Sequence, residues 1–257
     1  MTPNVSSLLE KWQVSDILGA NLVRISELNI RRKDGCRVGY AHIPDIEKAL
    51  GRPWGLVHRA HLHEGLATVA KRLGTEVLLA SRVVQLRQQN GDGGNGKVLV
   101  ETPNGKTHTF DLCIGADGVN SVVRRTLFPD VRPQPPTTNC AYRAIVPYET
   151  VCRDPLAREV FGGEKKTMEV WMGEKGYIIT YPICEGRDLN LVLSHHRPEK
   201  LHSTQVDVDA GELRGEYRGF DERIRRVVEM IPETVCLSLP LCGISTYDEL
   251  GLMADLI

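Results

Sequence analysis

The chain has 257 residues, and its 32 Lys and Arg against 33 Asp and Glu give a net charge of −1. This length fits one large or two small domains. The hydrophobic content of 41 % is ordinary for a folded globular protein and argues against extended disorder. The balanced charge lacks the basic footprint of nucleic-acid-binding proteins, and no apolar run reaches the roughly 18 residues of a membrane span.

The seven cysteines are scattered along the chain and form no CxxC pair. An odd, scattered set of this kind indicates neither a disulfide framework nor a structural zinc site, so no metal site is predicted. Residues 1–5 do not show the charged-then-apolar pattern of a signal peptide. We therefore expect a soluble protein of a reducing compartment, the cytoplasm.

The first 75 residues predict two helices and a hairpin. Apolar residues at helical spacing follow a possible cap at Ser6, so the chain is expected to open with a helix. Strands at 28–32 and 37–43 flank a Lys-Asp-Gly turn. Residues 44–55 are expected to form a loop, and an amphipathic helix then runs from Leu62 to a stop near Gly74.

The middle of the chain predicts short strands followed by one helix. Residues 77–86 are apolar and β-branched, and 98–102 and 107–114 flank an Asn-Gly turn typical of a hairpin. The glycine-rich run 90–96 has residue types found in calcium loops, but no acidic ligands follow at EF-hand spacing, so a flexible turn is favoured. A helix is predicted over 121–127.

A proline-rich stretch at 132–136 marks a change in composition, and we place a domain boundary there. The predicted segments are 1–131, 132–241 and an irregular tail, 242–257. Alternation of apolar and polar residues predicts one antiparallel sheet in the second segment. Its predicted elements are strands 139–146, 167–172, 177–182 and 189–194, a helix over 221–230 and a strand over 235–241.

The most specific local motif is the run DLCIGADGVNSVVR at 111–124. Glycines allow close backbone approach to a ligand, and a helix N-terminus presents free N–H groups to anions. The alternative is a plain strand-to-helix turn with Ser121 as the N-cap. Asp117 would be repelled by phosphate, so it suits an acceptor role toward hydroxyls or amides.

A second motif, GLVHRAHL at 55–62, begins the amphipathic helix. Arg59 carries a planar five-donor cation that could reach a phosphate or a flavin edge. His58 and His61 are three residues apart, but no carboxylate completes a metal-ligand set, so surface or capping histidines are favoured.

A third candidate is Arg143, which lies between apolar neighbours within a predicted strand and must face solvent, an acid or a ligand. Tyr177 and Tyr181 have the same parity on a nearby strand and point to one face, as core tyrosines or as ligand contacts. The pair His195-His196 is expected to be an exposed strand end.

The order of these motifs resembles that of FAD-dependent aromatic hydroxylases, most closely the salicylate-hydroxylase-like monooxygenases of fungal secondary metabolism. The resemblance runs from about Pro3 to about Leu241, and the DG pair at 117–118 is its most specific part. It implies a mixed α/β fold in which an incomplete Rossmann-like FAD-binding domain (1–131) is interleaved with an antiparallel-sheet substrate domain (132–241).

The resemblance also implies cofactors and site residues. FAD would be the cofactor and NAD(P)H the reductant. By motif, the cofactor-binding residues would be Arg59, Asp117 and Gly118. Asp117 and Gly118 would lie at the pyrophosphate of FAD and beside the path by which the nicotinamide cofactor approaches. Arg143 would hold the anionic oxygen of an aromatic substrate, and Tyr177 would contact a substrate hydroxyl, with Tyr181 as the alternative.

Two family signatures do not occur in this sequence: the GxGxxG motif that follows an opening strand, and the Gly-Asp motif after the last strand of the substrate domain. The sequence also lacks GxSxG and HExxH, which argues against a hydrolase. The expected function is hydroxylation of a phenolic, possibly polyketide-type, small molecule. The alternative is a truncated, inactive homologue, with an exposed sheet edge covered by a protein partner or by self-association.

Overall fold

The computed structural model describes residues 1–89, 96–118, 120–131, 139–163, 166–196, 205–208, 210–232 and 234–238. The mixed α/β class expected from the sequence is confirmed. The helices are α1 (Pro3–Lys11), α2 (Val14–Leu18), α3 (Ile43–Leu50), α4 (Arg59–Arg72), α5 (Val122–Leu127), α6 (Tyr148–Arg153), α7 (Pro155–Phe161), α8 (Ala210–Glu216) and α9 (Glu222–Glu229). The strands are β1 (Val23–Arg24), β2 (Glu27–Arg32), β3 (Arg37–His42), β4 (Gly55–Leu56), β5 (Gln85–Gln89), β6 (Lys97–Glu101), β7 (Thr107–Phe110), β8 (Asn139–Pro147), β9 (Thr167–Met172), β10 (Gly176–Ile183), β11 (Asp188–His196), β12 (Gln205–Val208) and β13 (Thr234–Ser238).

The chain divides into two compact units, which differ from the segments predicted from the sequence. The large unit combines Met1–Thr75 with Pro136–Pro240, and the small unit combines Glu76–Pro135 with Leu241–Ile257. The predicted boundary at residue 132, which rests on the proline-rich stretch, stays a prediction. The tail predicted over 242–257 lies outside the described residues.

An eight-stranded sheet forms the large unit, in the order β12-β13-β8-β11-β10-β9-β2-β3. Its neighbours pair antiparallel except β2 and β9, which run parallel. The carboxylate of Glu169 on β9 is buried at this seam, where it accepts hydrogen bonds from Asn29 Nδ2 at 2.9 Å and Arg31 Nε at 2.7 Å. A buried charge needs such partners, so this set ties the N-terminal hairpin to the sheet.

One face of the large sheet packs against helices α6 to α9. Alternate residues of β8 and β11 enter this core, among them the fully buried Tyr142, Leu191 and Leu193. The helices contribute apolar side chains from their inward faces, such as Ile224 and Val227 of α9. Because side chains alternate along a strand, the other residues of β8, β10 and β11 point to the opposite face.

The small unit holds a three-stranded antiparallel sheet, β5-β6-β7, and helix α5. Strand β6 pairs with both neighbours, and Thr107–Phe110 lies opposite Val98–Glu101 as the predicted hairpin requires. The glycine-rich turn at 90–96 lies almost wholly outside the described residues.

Three predicted elements are wrong. Residues 44–55 were expected as a loop, but α3 begins at Ile43. Pro44 lies in its first turn, a position that proline fits, and Gly51 ends the helix at φ +65°. The predicted strand over 77–86 is absent except for its last two residues, and β7 ends at Phe110 rather than at residue 114. Apolar residues form a strand only with a pairing partner, and the described part of the chain offers none there.

Candidate active site

Arg143 projects from the centre of the sheet, on the face opposite the helical core. It lies directly opposite Val192 of β11, and Val192 lies opposite Ile179 of β10. Its neighbours Tyr142 and Ala144 are buried among the helices, whereas Arg143 is exposed. The sequence-based expectation that this cation faces solvent, an acid or a ligand is therefore met by the fold.

Tyr177 and Tyr181 share this face with Arg143. Tyr177 lies opposite Ser194 and is 37 % exposed, and Tyr181 lies opposite Asn190 and is half-buried. Burial raises the pKa of the Tyr181 phenol above its ordinary value, and the positive charge of Arg143 opposes that shift. The structure thus brings the predicted catalytic residues to one face, with Arg143 in electrostatic reach of Tyr181. We name this surface of β8, β10 and β11, on the side opposite the helical core, the arginine face. At Tyr181 it packs against the apolar cluster of Val23, Ile25, Ile43 and Leu56.

Asp117 and its neighbours close the turn that leads into α5. One carboxylate oxygen of Asp117 accepts a hydrogen bond from the hydroxyl of Ser121 at 2.5 Å. The other accepts from the backbone N–H groups of Val122 at 2.6 Å and Val123 at 3.2 Å. The Ser121 hydroxyl and these N–H groups hold the pKa of Asp117 below its ordinary value.

The acceptor role expected for Asp117 is therefore directed at its own helix. Ser121 is the N-cap as predicted, because its hydroxyl accepts from the Arg124 N–H at 2.9 Å. Gly118 has φ +73° and faces open space where a side chain would begin. The backbone at Gly118 can consequently be approached closely by a ligand.

Arg59 is the first residue of α4, and it is exposed. His58 caps this helix, since its Nδ1 accepts a hydrogen bond from the Ala60 N–H at 3.3 Å, and its ring meets that of His61 edge-on at 5.6 Å. The capping interpretation is confirmed for His58, whereas His61 lies inside α4. Within the described ranges no cluster of metal-binding side chains occurs.

His195 corrects a prediction. The strand end was expected to be exposed, and His196 is, but His195 is only 4 % exposed. Its ring stacks on that of Tyr142 at 4.5 Å, on the helical side of the sheet. This contact depends on a neighbouring strand, so the local sequence does not show it.

Comparison with known proteins shows what this chain is similar to. No protein-family model matches the chain. It is 29 % identical over 240 residues to an FAD-dependent monooxygenase, OpS4, of Beauveria bassiana. The aligned region covers 90 % of this chain and 53 % of that protein. It is 27 % identical over 207 residues to a 3-hydroxybenzoate 6-hydroxylase of Polaromonas naphthalenivorans, covering 78 % of this chain and 47 % of the relative.

Solved structures share the fold. A salicylate hydroxylase in complex with its substrate superposes with a TM-score of 0.75 at 20 % identity, covering 93 % of this chain and 59 % of that one. The curated relatives are FAD-dependent monooxygenases, so the resemblance drawn from the motifs is confirmed. The chain spans about half the length of the curated relatives that it matches. No helix in the described residues is long and apolar enough to cross a membrane.

Proposed function

We propose that this chain carries the substrate face of an FAD-dependent monooxygenase that hydroxylates a phenolic small molecule with NAD(P)H and O₂, in secondary metabolism. The arginine face carries this proposal: it presents Arg143 with Tyr177 and Tyr181 on the side of the sheet that the helical core leaves open. The relatives' activities support the reaction class.

In this proposal Arg143 holds the anionic oxygen of the substrate. A guanidinium offers only donors, so it stabilises a phenolate over the neutral phenol and makes the ring richer in electrons. Tyr177 is exposed on the same face, two strands away from Arg143, and would contact a substrate hydroxyl. Tyr181, whose pKa is raised by burial, stays protonated near neutral pH and can donate a hydrogen bond.

The residues predicted to hold FAD are compatible with that role. Arg59 is an exposed cation suited to a phosphate, and the open space at Gly118 permits close approach of the cofactor. Asp117 would act by shaping the turn, because its carboxylate already accepts three hydrogen bonds from its own helix. FAD, when bound and reduced by NAD(P)H, would activate O₂, so that one oxygen atom enters the substrate ring and the other leaves as water.

We further propose that a protein surface, from a partner or a second copy, covers the small unit beside β7. Leu112 is 62 % exposed and Ile114 is 81 % exposed, and they follow β7, an edge strand of its sheet. An uncovered sheet edge is a surface on which another chain can pair. The free thiols of Cys36, Cys113, Cys152 and Cys184 support a reducing, cytoplasmic location. If sedimentation shows only monomer at all concentrations and no partner is captured, this surface is not a contact surface.

The substitution Arg143→Ala tests the proposal. We expect aromatic-dependent NAD(P)H oxidation and product formation to fall by about 100-fold, because the oxyanion loses its fixed charge. Flavin content should not change, since Arg143 lies on the sheet and not at the predicted FAD residues. Mass spectrometry of the product and the visible spectrum of the protein measure the two effects.

A matched control is Arg218→Ala, which removes another exposed arginine, in the connection between α8 and α9. It should leave turnover unchanged. If Arg143→Ala turns over as fast as the wild type, Arg143 does not belong to the substrate site.

A further inference from the structure

Thr180 lies in the middle of β10, on the side of the sheet that packs against the helices. It is fully buried, and its Oγ1 makes no hydrogen bond within the described residues. Directly opposite it on β9 is Glu169, whose carboxylate is also buried. Opposite residues in an antiparallel ladder have Cβ atoms about 4.5–5.5 Å apart, so the hydroxyl and the carboxylate are neighbours that do not bond directly.

A second buried polar group lies on the same face. Trp171 follows Glu169 by two residues on β9, so both side chains point toward the helical core. The indole is fully buried, and no residue that the structure describes accepts a hydrogen bond from its Nε1. Buried polar groups without a partner are rare in folded proteins, and two of them beside one carboxylate indicate a partner that they share.

The groups at this place determine what the partner can be. Glu169 accepts hydrogen bonds from Asn29 Nδ2 and Arg31 Nε, one at each oxygen, and a carboxylate oxygen can accept more than one. The carboxylate would repel an anion, and the indole N–H, which only donates, would not coordinate a cation. The partner must therefore accept from Trp171 and donate to Glu169. A water molecule does both, and buried waters typically make about three hydrogen bonds.

We propose that one buried water molecule bridges Thr180, Trp171 and Glu169. It accepts from the Thr180 hydroxyl and from the Trp171 indole N–H, and it donates to the Glu169 carboxylate. The water links β9 to β10 and gives the buried charge beside the parallel pairing of β2 with β9 a third hydrogen bond. Because it lies on the helical side of the sheet, this site does not depend on the proposed function.

Nuclear magnetic resonance on the full chain tests for this water directly. The chain has three tryptophans, so three indole N–H signals are expected, and Trp171→Phe identifies the signal of Trp171. In a rotating-frame Overhauser spectrum, a bound water and chemical exchange give cross-peaks of opposite sign. We expect a bound-water cross-peak at the Trp171 indole in the wild type and its loss in Thr180→Val. Its absence from the wild type, or its persistence in Thr180→Val, overturns the proposal.

The stability of Thr180→Val is an independent test, because the sign of the effect differs between the two possibilities. A buried hydroxyl without a partner destabilises the fold, so replacing it with a methyl group of similar size would lower the unfolding equilibrium constant. A hydroxyl bonded to a water makes the variant less stable, and we expect this constant to rise by about fivefold, the effect of one typical hydrogen bond. A constant equal to or below that of the wild type overturns the proposal.

Thr167→Val is the matched control for the stability measurement. Thr167 lies on β9 with the same alternation as Glu169, but it is only half-buried, so its hydroxyl can bond to solvent. Its replacement should change the unfolding equilibrium constant by less than about twofold. If Thr167→Val raises the constant as much as Thr180→Val does, the loss is general to threonines of this sheet, and the bridging water is overturned.

Discussion

At the scale of single residues, strand parity predicted the arginine face, and local motifs predicted the caps at His58 and Ser121. The predicted cap at Ser6 is wrong, because Ser6 lies inside α1. The alternation of β10 placed Tyr177 and Tyr181 on one side, and the polar residue inside β8 marked Arg143 as outward-facing. Asn190 alternates in the same way on β11, but only the pairing of β10 with β11 shows that it lies opposite Tyr181. The burial of His195 depends likewise on Tyr142 of another strand.

The cap at α5 gives a prediction at this scale. Asp117→Ala removes the acceptor of three hydrogen bonds, so we expect the small unit to lose about 1 kcal/mol of unfolding free energy. The pKa of Asp117 is lowered in the folded chain. Its contribution is therefore full above the ordinary value and is lost as the pH falls through the lower folded value.

Urea unfolding followed across acidic pH measures both effects. Asp111→Ala is the control, because Asp111 is an exposed carboxylate whose ion pair with Lys97 should matter little. Equal stability of Asp117→Ala and the wild type at neutral pH would show that the carboxylate does not cap the helix.

At the scale of elements, the sequence predicted most strands and the long helices, because their periodicity spans many residues. It missed α6, α7 and α8, which have six or seven residues each and show too few turns for a helical pattern. It also predicted strands over 77–84 and 111–114, where the apolar residues have no pairing partner among the described residues.

The hairpin turn between β2 and β3 gives a second prediction. Gly35 has φ +85°, and a Cβ there would lie 2.3 Å from side-chain atoms of Asp221 and Arg223 beside α9. Gly35→Ala should therefore cost about 1–2 kcal/mol for the left-handed backbone and about 1 kcal/mol more, because the side-chain ends of Asp221 and Arg223 must move. Gly51→Ala also has a positive φ but meets no atom within 4 Å, so it should cost the backbone strain alone.

The difference in urea midpoint between the two variants isolates the contact between the turn and α9. That contact includes the hydrogen bond from the Asp221 N–H to the Lys33 carbonyl at 2.6 Å. If Gly35→Ala and Gly51→Ala lose the same stability, the turn does not depend on packing against Asp221 and Arg223.

At the scale of the whole molecule, the order of the motifs predicted that the relatives are FAD-dependent monooxygenases. The pairing of strands that are distant in sequence was not predicted. The parallel pairing of β2 with β9 joins residues about 140 apart, as the Asn29–Glu169 hydrogen bond shows. The register between two strands so far apart in sequence depends on the burial of Glu169 with its partners, and no local sequence pattern shows this. The predicted antiparallel sheet is present, and the N-terminal hairpin extends it.

The central claim is that this chain works with FAD on a phenolic substrate, and flavin binding tests it most directly. The full chain is purified, incubated with excess FAD, separated from free cofactor, and examined by its visible spectrum with quantification of released flavin. The account predicts about one FAD per chain and a spectrum perturbed by salicylate. A chain that retains no flavin after this incubation would contradict an FAD-dependent function for it.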